Sequence, residues 1–469
     1  MFQTLKNAWK IPELKSKILF TLMIIVLYRL GASLPMPWVD SDMFQQYFNA
    51  SGNALTWLNM LSGGSLAQAT LFALSVSPYI TASIVVQLLT IAIPALERWS
   101  KEGESGKKKL SALTRGLTVV LALVTAIGYT MFLKNNGALT FTAADSGWTT
   151  AQKWIGYVVI VLTYCAGASV IMWLAEKINE KGIGNGISII LFANIITRLP
   201  AMLGSLWGRC FSTGMDSYGN PRQPWTVFAE KDNWRAFQWP IGALLVILFV
   251  AILLAATIAV IWFSNSERRI PVQYAKRVVG RKMYGGQSST LPLKLDMAGV
   301  MPVIFASSIV SILPTVASFI TAKDGFWAGF RDVINNYLGY TSFPYIALQL
   351  ILIVAFAYFY IMISFNPVEV SNNLRNNGGA IPGIRPGKPT VDYITKILHR
   401  ITFLGAVFLC LLSGLPMIVN AIWTAIDGEG IPDLAFSGTS LLIVVGVALE
   451  TFRELEAQMT LRNYKGFLD

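Results

Sequence analysis

The sequence predicts an all-α polytopic membrane protein of ten transmembrane helices. Three observations predict it. Hydrophobic residues make up 54 % of the 469 residues and charged residues only 13 %, about half the charge of an ordinary soluble chain. The hydrophobic residues are gathered into charge-free runs long enough to cross ~30 Å of hydrocarbon as helix. The Lys and Arg residues between those runs fall mainly on alternate sides.

Taken in order, the first span is Ile18–Leu34, with Arg29 near one end. No small-residue cleavage site follows it, so it reads as a retained anchor. The next run, Met43–Leu96, carries no charge across 54 residues and is too long for one span. Gly63 and Gly64 divide it into a polar-flecked first part, expected to be a half-inserted short helix, and a full second span over Leu71–Ile93. Irregular backbone at that depth is tolerated only within protein or beside a water cavity. Gly116–Leu133 and Ile155–Ala175 are the third and fourth spans, and Ile183–Leu199, opening in a glycine cluster, is the fifth. Pro240–Phe263, Met297–Ala322, Thr341–Pro367 and Ile401–Ile426 follow, and Leu434–Leu449 continues into a charged helix.

With ten spans both termini share one side. That side receives 27 of the 37 Lys+Arg, the other side nine, and Arg29 lies within the first span. The positive-inside rule makes the richer side cytoplasmic. The polar segment 201–239 lies near the midpoint and separates an N-terminal half, 1–200, from a C-terminal half, 240–458, with a cytoplasmic tail over 459–469. Five spans is an odd number, so the halves are expected to be inverted with respect to each other, with a central site between them.

Composition excludes several functions. One histidine and three cysteines are too few for a clustered metal site or a disulfide framework. Gly182, Gly184 and Gly186 open a membrane helix with no strand before it, and the Gly103 to Lys107 stretch has the wrong glycine spacing for a phosphate loop. Apart from Arg29, no ionisable residue sits deep in a span, so the chain has no proton relay. The polar content of the spans is mild: Ser75, Ser77, Thr81, Ser83, Gln87 and Thr90 on the second, and Ser307, Ser308 and Ser311 on the seventh. These side chains suit either helix-to-helix contact or a wettable path between separable helices. The cytoplasmic loops 264–296 and 367–400 mix basic residues with Pro/Gly turns and apolar residues. Topology and lipid contact account for part of that charge; the combination also suits a docking surface for a large acidic partner, an RNA or a motor protein.

Several strings are diagnostic: KIPELKSKILFTL, SPYITASIVVQLLT, KEGESGKKKLSALTR, KGIGNGISII, RRIPVQYAKR, YGGQSSTLPLKLDMAGVMPVIFASSI, GGAIPGIRPGKPT and GTSLLIVVGVALE. Together, in this order and through nearly the whole chain, they resemble the SecY family, the channel subunits of the bacterial preprotein translocase. The resemblance implies two five-helix halves closing like a clam-shell around a central hourglass pore in the cytoplasmic (inner) membrane. It implies partner subunits SecE and SecG, the motor ATPase SecA, ribosomes, signal peptides, nascent chains and membrane lipids, and no cofactor.

Carried over by motif, the resemblance places a pore ring at Val76 and Ile80, Ile187 and Leu191, Ile304 and Ile443. Aliphatic side chains at a narrow waist give an ion nothing to hydrate it, and they have no sequence preference for a passing polypeptide. Val76 stands where the family often has isoleucine. The stretch 54–66 corresponds to a plug, with Leu58, Met60 and Leu61 in its body and Gly63 and Gly64 as a hinge. Spans two and seven form a lateral gate, in which Thr81 and Gln87 are expected to face Ser308 and Ile312; Pro314 is displaced by one position from the family's usual proline. Arg268, Arg269, Lys276, Arg277 and Arg385 are expected to dock the motor and the ribosome. An inverted-repeat transporter of small solutes is the alternative; it would place polar or charged ligands where this chain has an aliphatic ring. A scaffold for membrane complexes is a third and weaker reading.

Overall fold

A computed structural model of the chain describes residues 6–465 except 7, 42, 46–55, 143–147, 212–237, 275–276, 280–281, 285–287, 321–324, 339–341 and 428–431. A helix lies over each predicted span. These are α1 (Pro12–Ser33), a short α2 (Thr56–Leu61), α3 (Ser77–Ala92), α4 (Pro94–Lys101), α5 (Glu104–Asn135), α6 (Thr150–Lys181), α7 (Gly186–Phe211) and α8 (Gln238–Asn265). The second half continues with α9 (Met301–Phe319), α10 (Phe326–Tyr337), α11 (Phe343–Ser364), α12 (Pro367–Asn376), α13 (Lys388–Asp427) and α14 (Pro432–Lys465). Among the described residues five helices are long and apolar enough to cross a bilayer, six when α3 and α4 count as one bent span. Shorter apolar stretches, Gly186–Pro200, Val250–Asn265 and Met301–Ala317, fall on the fifth, sixth and seventh predicted spans.

Local chemistry sets the helix ends. Proline occupies the first turn of α1, α3, α4, α9, α11 and α12, where its missing N–H costs nothing and its fixed φ suits a helix. Pro94 also ends α3, because the residue before a proline is driven to extended backbone. Ile93 has φ −111° and ψ 113°, and α3 and α4 meet at 102°. At α6 a capping box forms between Thr149 and Gln152. Leu22, Val26, Leu30, Val120, Val124, Leu162, Ile258, Ile351 and Leu411 are exposed. Apolar surface of that extent is untenable in water and is what lipid covers.

Two expectations change. The second span begins at Ser77 rather than Leu71, since residues 62–76 form consecutive turns. Gly63, Gly64, Ala69 and Ser75 all take positive φ there, which no helix accommodates. Loop 264–296 is also not merely a loop. It forms β1 (Glu267–Tyr274), β2 (Arg277–Val279), β3 (Lys282–Tyr284) and β4 (Ser288–Lys294), and β5 (Gly379–Ala380) comes from the other basic loop. Strand β1 is central and antiparallel to both neighbours, with Ile270 opposite Leu291 and Gln273 opposite Ala380. Ile270 and Val272 point inward while Arg269, Pro271 and Gln273 are exposed, the period-two pattern of a half-buried strand. The buried face packs with Leu293 and Ile381 on Ile394, Ile397, Leu398 and Ile401 of α13.

The glycines report how closely the helices approach. A Cβ on Gly186 would lie 2.0 Å from the carbonyl oxygen of Ala175, so α7 starts hard against α6. Gly116 on α5 has nothing within 4 Å. Gly186→Ala is therefore expected to destabilise the fold by about 2–4 kcal/mol through overpacking against backbone. Gly116→Ala should be neutral or slightly stabilising. Thermal unfolding in detergent checks the pair, and equal transition temperatures would refute this account of the α6–α7 contact.

Candidate functional site

Every ring candidate lands in one hydrophobic cluster. Val76, Ile80, Leu191, Ile304 and Ile443 are each no more than 3 % exposed, and the half-buried Ile187 packs against them. They come from α3, α7, α9 and α14, so both halves of the chain contribute. The backbone N–H of Ile80 donates to the Val76 carbonyl at 3.0 Å, which closes the first turn of α3. Val76 is the N-cap of that helix rather than a residue in its interior.

The segment expected to form a plug reaches into the same cluster through Leu61. Of the predicted stretch 54–66, residues 54 and 55 lie outside the described residues. Leu58 and Met60 lie on α2, and Leu61 ends it. Gly63 and Gly64 have φ of 68° and 95°, the left-handed region that favours glycine. The segment holds its own shape: the Ala67 N–H donates to Asn59 Oδ1 at 3.0 Å, the Leu66 N–H to Ser62 Oγ at 3.1 Å, and Ser62 Oγ to the Asn59 carbonyl at 2.9 Å. The walls then bind its carbonyls. Tyr129 Oη of α5 donates to the Leu66 carbonyl, and Asn194 Nδ2 of α7 to the Leu61 carbonyl, both at 2.6 Å. The Phe72 ring fills the gap between Gly31 of α1 and Gly167 of α6: a Cβ on Gly31 would lie 2.1 Å from it and one on Gly167 3.4 Å. Phe72 also stacks on Tyr28 at 5.7 Å between centroids.

The gate candidates are brought together in part. A cavity of about 240 Å³ between α3, α5 and α9 is lined by Thr81, Ser308 and Ile312, with Leu58 and Leu61 of the plug on one wall. Gln87 does not line it. Its Nε2 donates to Ser83 Oγ on its own helix at 3.3 Å, almost two turns beyond Thr81. Pro314 lies inside α9. Sequence reasoning missed that α5 forms the third wall, through Leu121, Val124, Thr125 and Tyr129. Gly128 on the same helix gives a partial signal: a Cβ there would lie 2.3 Å from the Phe319 ring at the end of α9.

The sheet unites the two basic loops. Arg268 and Arg269 are exposed on β1, and Arg269 Nε donates to Glu267 at 2.7 Å. Arg277 belongs to β2, and Lys276 lies outside the described residues. Arg385 is exposed in the turn between β5 and α13, where its carbonyl accepts from Thr390 Oγ1 at 2.9 Å. Behind the sheet, Arg453 of α14 donates through Nη2 to the Ser264 carbonyl at 2.6 Å and to Asn265 Oδ1 at 2.9 Å. Ser264 Oγ donates to Asp296 at 3.1 Å. Burial nevertheless pushes the Asp296 carboxyl above its usual range, and burial pulls the neighbouring Lys294 ammonium below its own.

Comparison with known proteins gives one consistent family. The SecY family model matches residues 70–452. The protein translocase subunit SecY of Streptomyces griseus is 42 % identical over 471 residues, covering 100 % of both chains. The subunit of the same description from Mycobacterium tuberculosis is 39 % identical over 482 residues, again covering 100 % of both. Among solved structures, a SecY protein described as having a plug domain that stabilises the closed state of the translocation channel and maintains a membrane seal superposes with a TM-score of 0.57. It is 16 % identical and covers 95 % of this chain and 92 % of that one; at that identity the likeness concerns the fold.

Proposed function

This chain belongs to the SecY family, and we infer from that membership and from the geometry above that it is a protein-conducting channel of the membrane, not an enzyme. The secondary-transporter alternative falls with the family assignment. The membrane is the cytoplasmic (inner) one, with both termini in the cytoplasm, and the halves 1–200 and 240–458 are inverted about the pore. An unfolded preprotein passes between the halves, and its apolar segments leave sideways into lipid.

The observation that carries this reading is that Val76, Ile80, Leu191, Ile304 and Ile443, from α3, α7, α9 and α14, fall in one buried hydrophobic cluster that also takes in Leu61 of the plug segment. These aliphatic side chains are the waist. With the plug in place it blocks ions by dewetting; with a chain inside, its side chains form a compliant gasket. Thr81, Ser308 and Ile312 mark the lateral gate. Polar contacts between membrane helices contribute only about 0.6–2 kcal/mol each, so helices α3 and α9 separate at modest cost when a signal sequence intercalates.

The driver docks on the cytoplasmic sheet. Arg268, Arg269, Lys276, Arg277 and Arg385 offer positive charge to SecA or to ribosomal RNA, and the energy comes from that partner. SecE and SecG complete the channel. Reconstitution of the chain with SecE and SecA in vesicles tests the function: a signal-bearing preprotein should become protected from external protease, and its failure to cross would overturn the proposal. Arg385→Glu should lower motor-driven translocation on the order of tenfold, because reversing an interfacial charge costs at least the 1.4 kcal/mol that tenfold represents. The thermal transition should not move, since Arg385 is exposed. Wild-type rates in the same vesicle assay would remove it from the dock.

A further inference from the structure

The seated plug leaves a buried polar atom unpartnered. Asn194 is fully buried on α7. Its Nδ2 donates to the Leu61 carbonyl at 2.6 Å and to Ser75 Oγ at 3.3 Å. Its Oδ1 accepts nothing among the described residues. A buried amide oxygen without a donor is costly and rare, and here the same side chain holds the Leu61 carbonyl of the plug. The Tyr28 hydroxyl lies against the amide, and a charged donor stands one residue along. Arg29 of α1 is the charge that the sequence places within a span, and its Nη2 donates to the carbonyl of Ala193, the residue beside Asn194, at 2.6 Å. Gly63 of the plug packs against both: a Cβ on Gly63 would come within 3.1 Å of both terminal nitrogens of Arg29 and within 3.2 Å of the Asn194 Cα.

We propose that Asn194 is a two-position switch for the plug, donating to the Leu61 carbonyl when the plug is seated and accepting from the Arg29 guanidinium once Gly63 withdraws. The proposal rests on the channel reading above and adds a positioning residue to it. In the closed state Asn194 is satisfied on its nitrogen and unsatisfied on its oxygen. In the open state the oxygen gains a charged donor that is already in place, because the Ala193 carbonyl holds the guanidinium one residue away. Departure of the plug thus exchanges one buried hydrogen bond for another. The equilibrium is kept close enough to balance for an arriving chain to tip it, since a ligand shifts a two-state equilibrium only by its differential affinity for the two states.

The side-chain chemistry gives a discriminating test. Asn194→Ala removes the latch to Leu61 together with the bond to Ser75. Asn194→Asp also places a carboxylate opposite the Leu61 carbonyl, where two acceptors repel, and offers Arg29 a charged partner. With the full chain reconstituted alongside SecE in planar bilayers, resting ion conductance of Asn194→Asp should exceed that of Asn194→Ala by roughly tenfold, the scale of one charge-assisted hydrogen bond. Arg29→Gln should abolish that excess. Equal conductance of the two Asn194 variants, or an excess that persists without Arg29, would overturn the switch. If Arg29→Gln does not fold, labelling of Leu58→Cys by a membrane-impermeant maleimide decides instead. The Asn194→Asp background should label about tenfold faster than Asn194→Ala, and equal rates would overturn the proposal. Protease protection of a preprotein by the wild-type channel is scored separately, so failure of the protein-conducting reading and failure of the switch are distinguishable.

Discussion

Resting channels that carry Ile80→Ser and Ile187→Gly together should leak ions on the order of a hundredfold faster than the parent. Ile80 is 3 % exposed and Ile187 packs against the same cluster from α7. Each isoleucine contributes about 1.5–3 kcal/mol of apolar burial, which is also the scale of the cost of putting water in its place. Every 1.4 kcal/mol is tenfold, so two positions account for the hundredfold. Serine adds a hydroxyl that can hydrate an ion at the constriction, and glycine removes bulk from the facing wall. Single-channel recording in planar bilayers measures the leak. Parental conductance in the double variant would show that the barrier lies elsewhere, with the plug as the first candidate.

The second large effect concerns the gate. Thr81 and Ser308 line the same cavity from α3 and α9, so cysteines at these positions joined by a short cleavable crosslinker should lower insertion of a signal-bearing chain at least tenfold. Thr81 Oγ1 donates to the Ser77 carbonyl of its own helix at 3.0 Å, so a covalent bridge adds across the cavity a tie that thermal motion does not break, and reductive cleavage of the linker should restore insertion. Undisturbed insertion in the crosslinked channel would refute α3 and α9 as the exit. A cysteine at Gln87 supplies the control: it lies off the cavity, and the same reagent should bridge it poorly to position 308.

The helices were legible in the sequence because the bilayer imposes a length and expels charge, and both constraints are written as runs. Six aliphatic residues on four helices were legible only through motif strings. One buried isoleucine resembles any other, and nothing local marks a waist. What the sequence concealed was long-range. Tyr129 and Asn194 bind plug carbonyls 63 and 133 residues away, and a single tyrosine or asparagine inside an apolar run carries no sign of its partner. The strand Glu267–Tyr274 was hidden for another reason. Its inward pair Ile270 and Val272 is only two residues of period-two signal, broken by Pro271 and preceded by Arg268 and Arg269. Gln87 came from the motif resemblance, which names a helix but not the height of a side chain relative to its neighbour, and the structure places it off the cavity that Thr81 lines.

The unbroken α14 carries Ile443 at the waist and Arg453 on the sheet's root. Ten residues of helix separate them, about 15 Å at 1.5 Å per residue. A helix is a stiff strut, and Arg453 is bound to the Ser264 carbonyl and Asn265 at the end of α8, so on the proposed channel reading a load placed on the sheet is expected to reach Ile443 as displacement rather than be lost in slack. Driver and constriction would then be geared together through one helix.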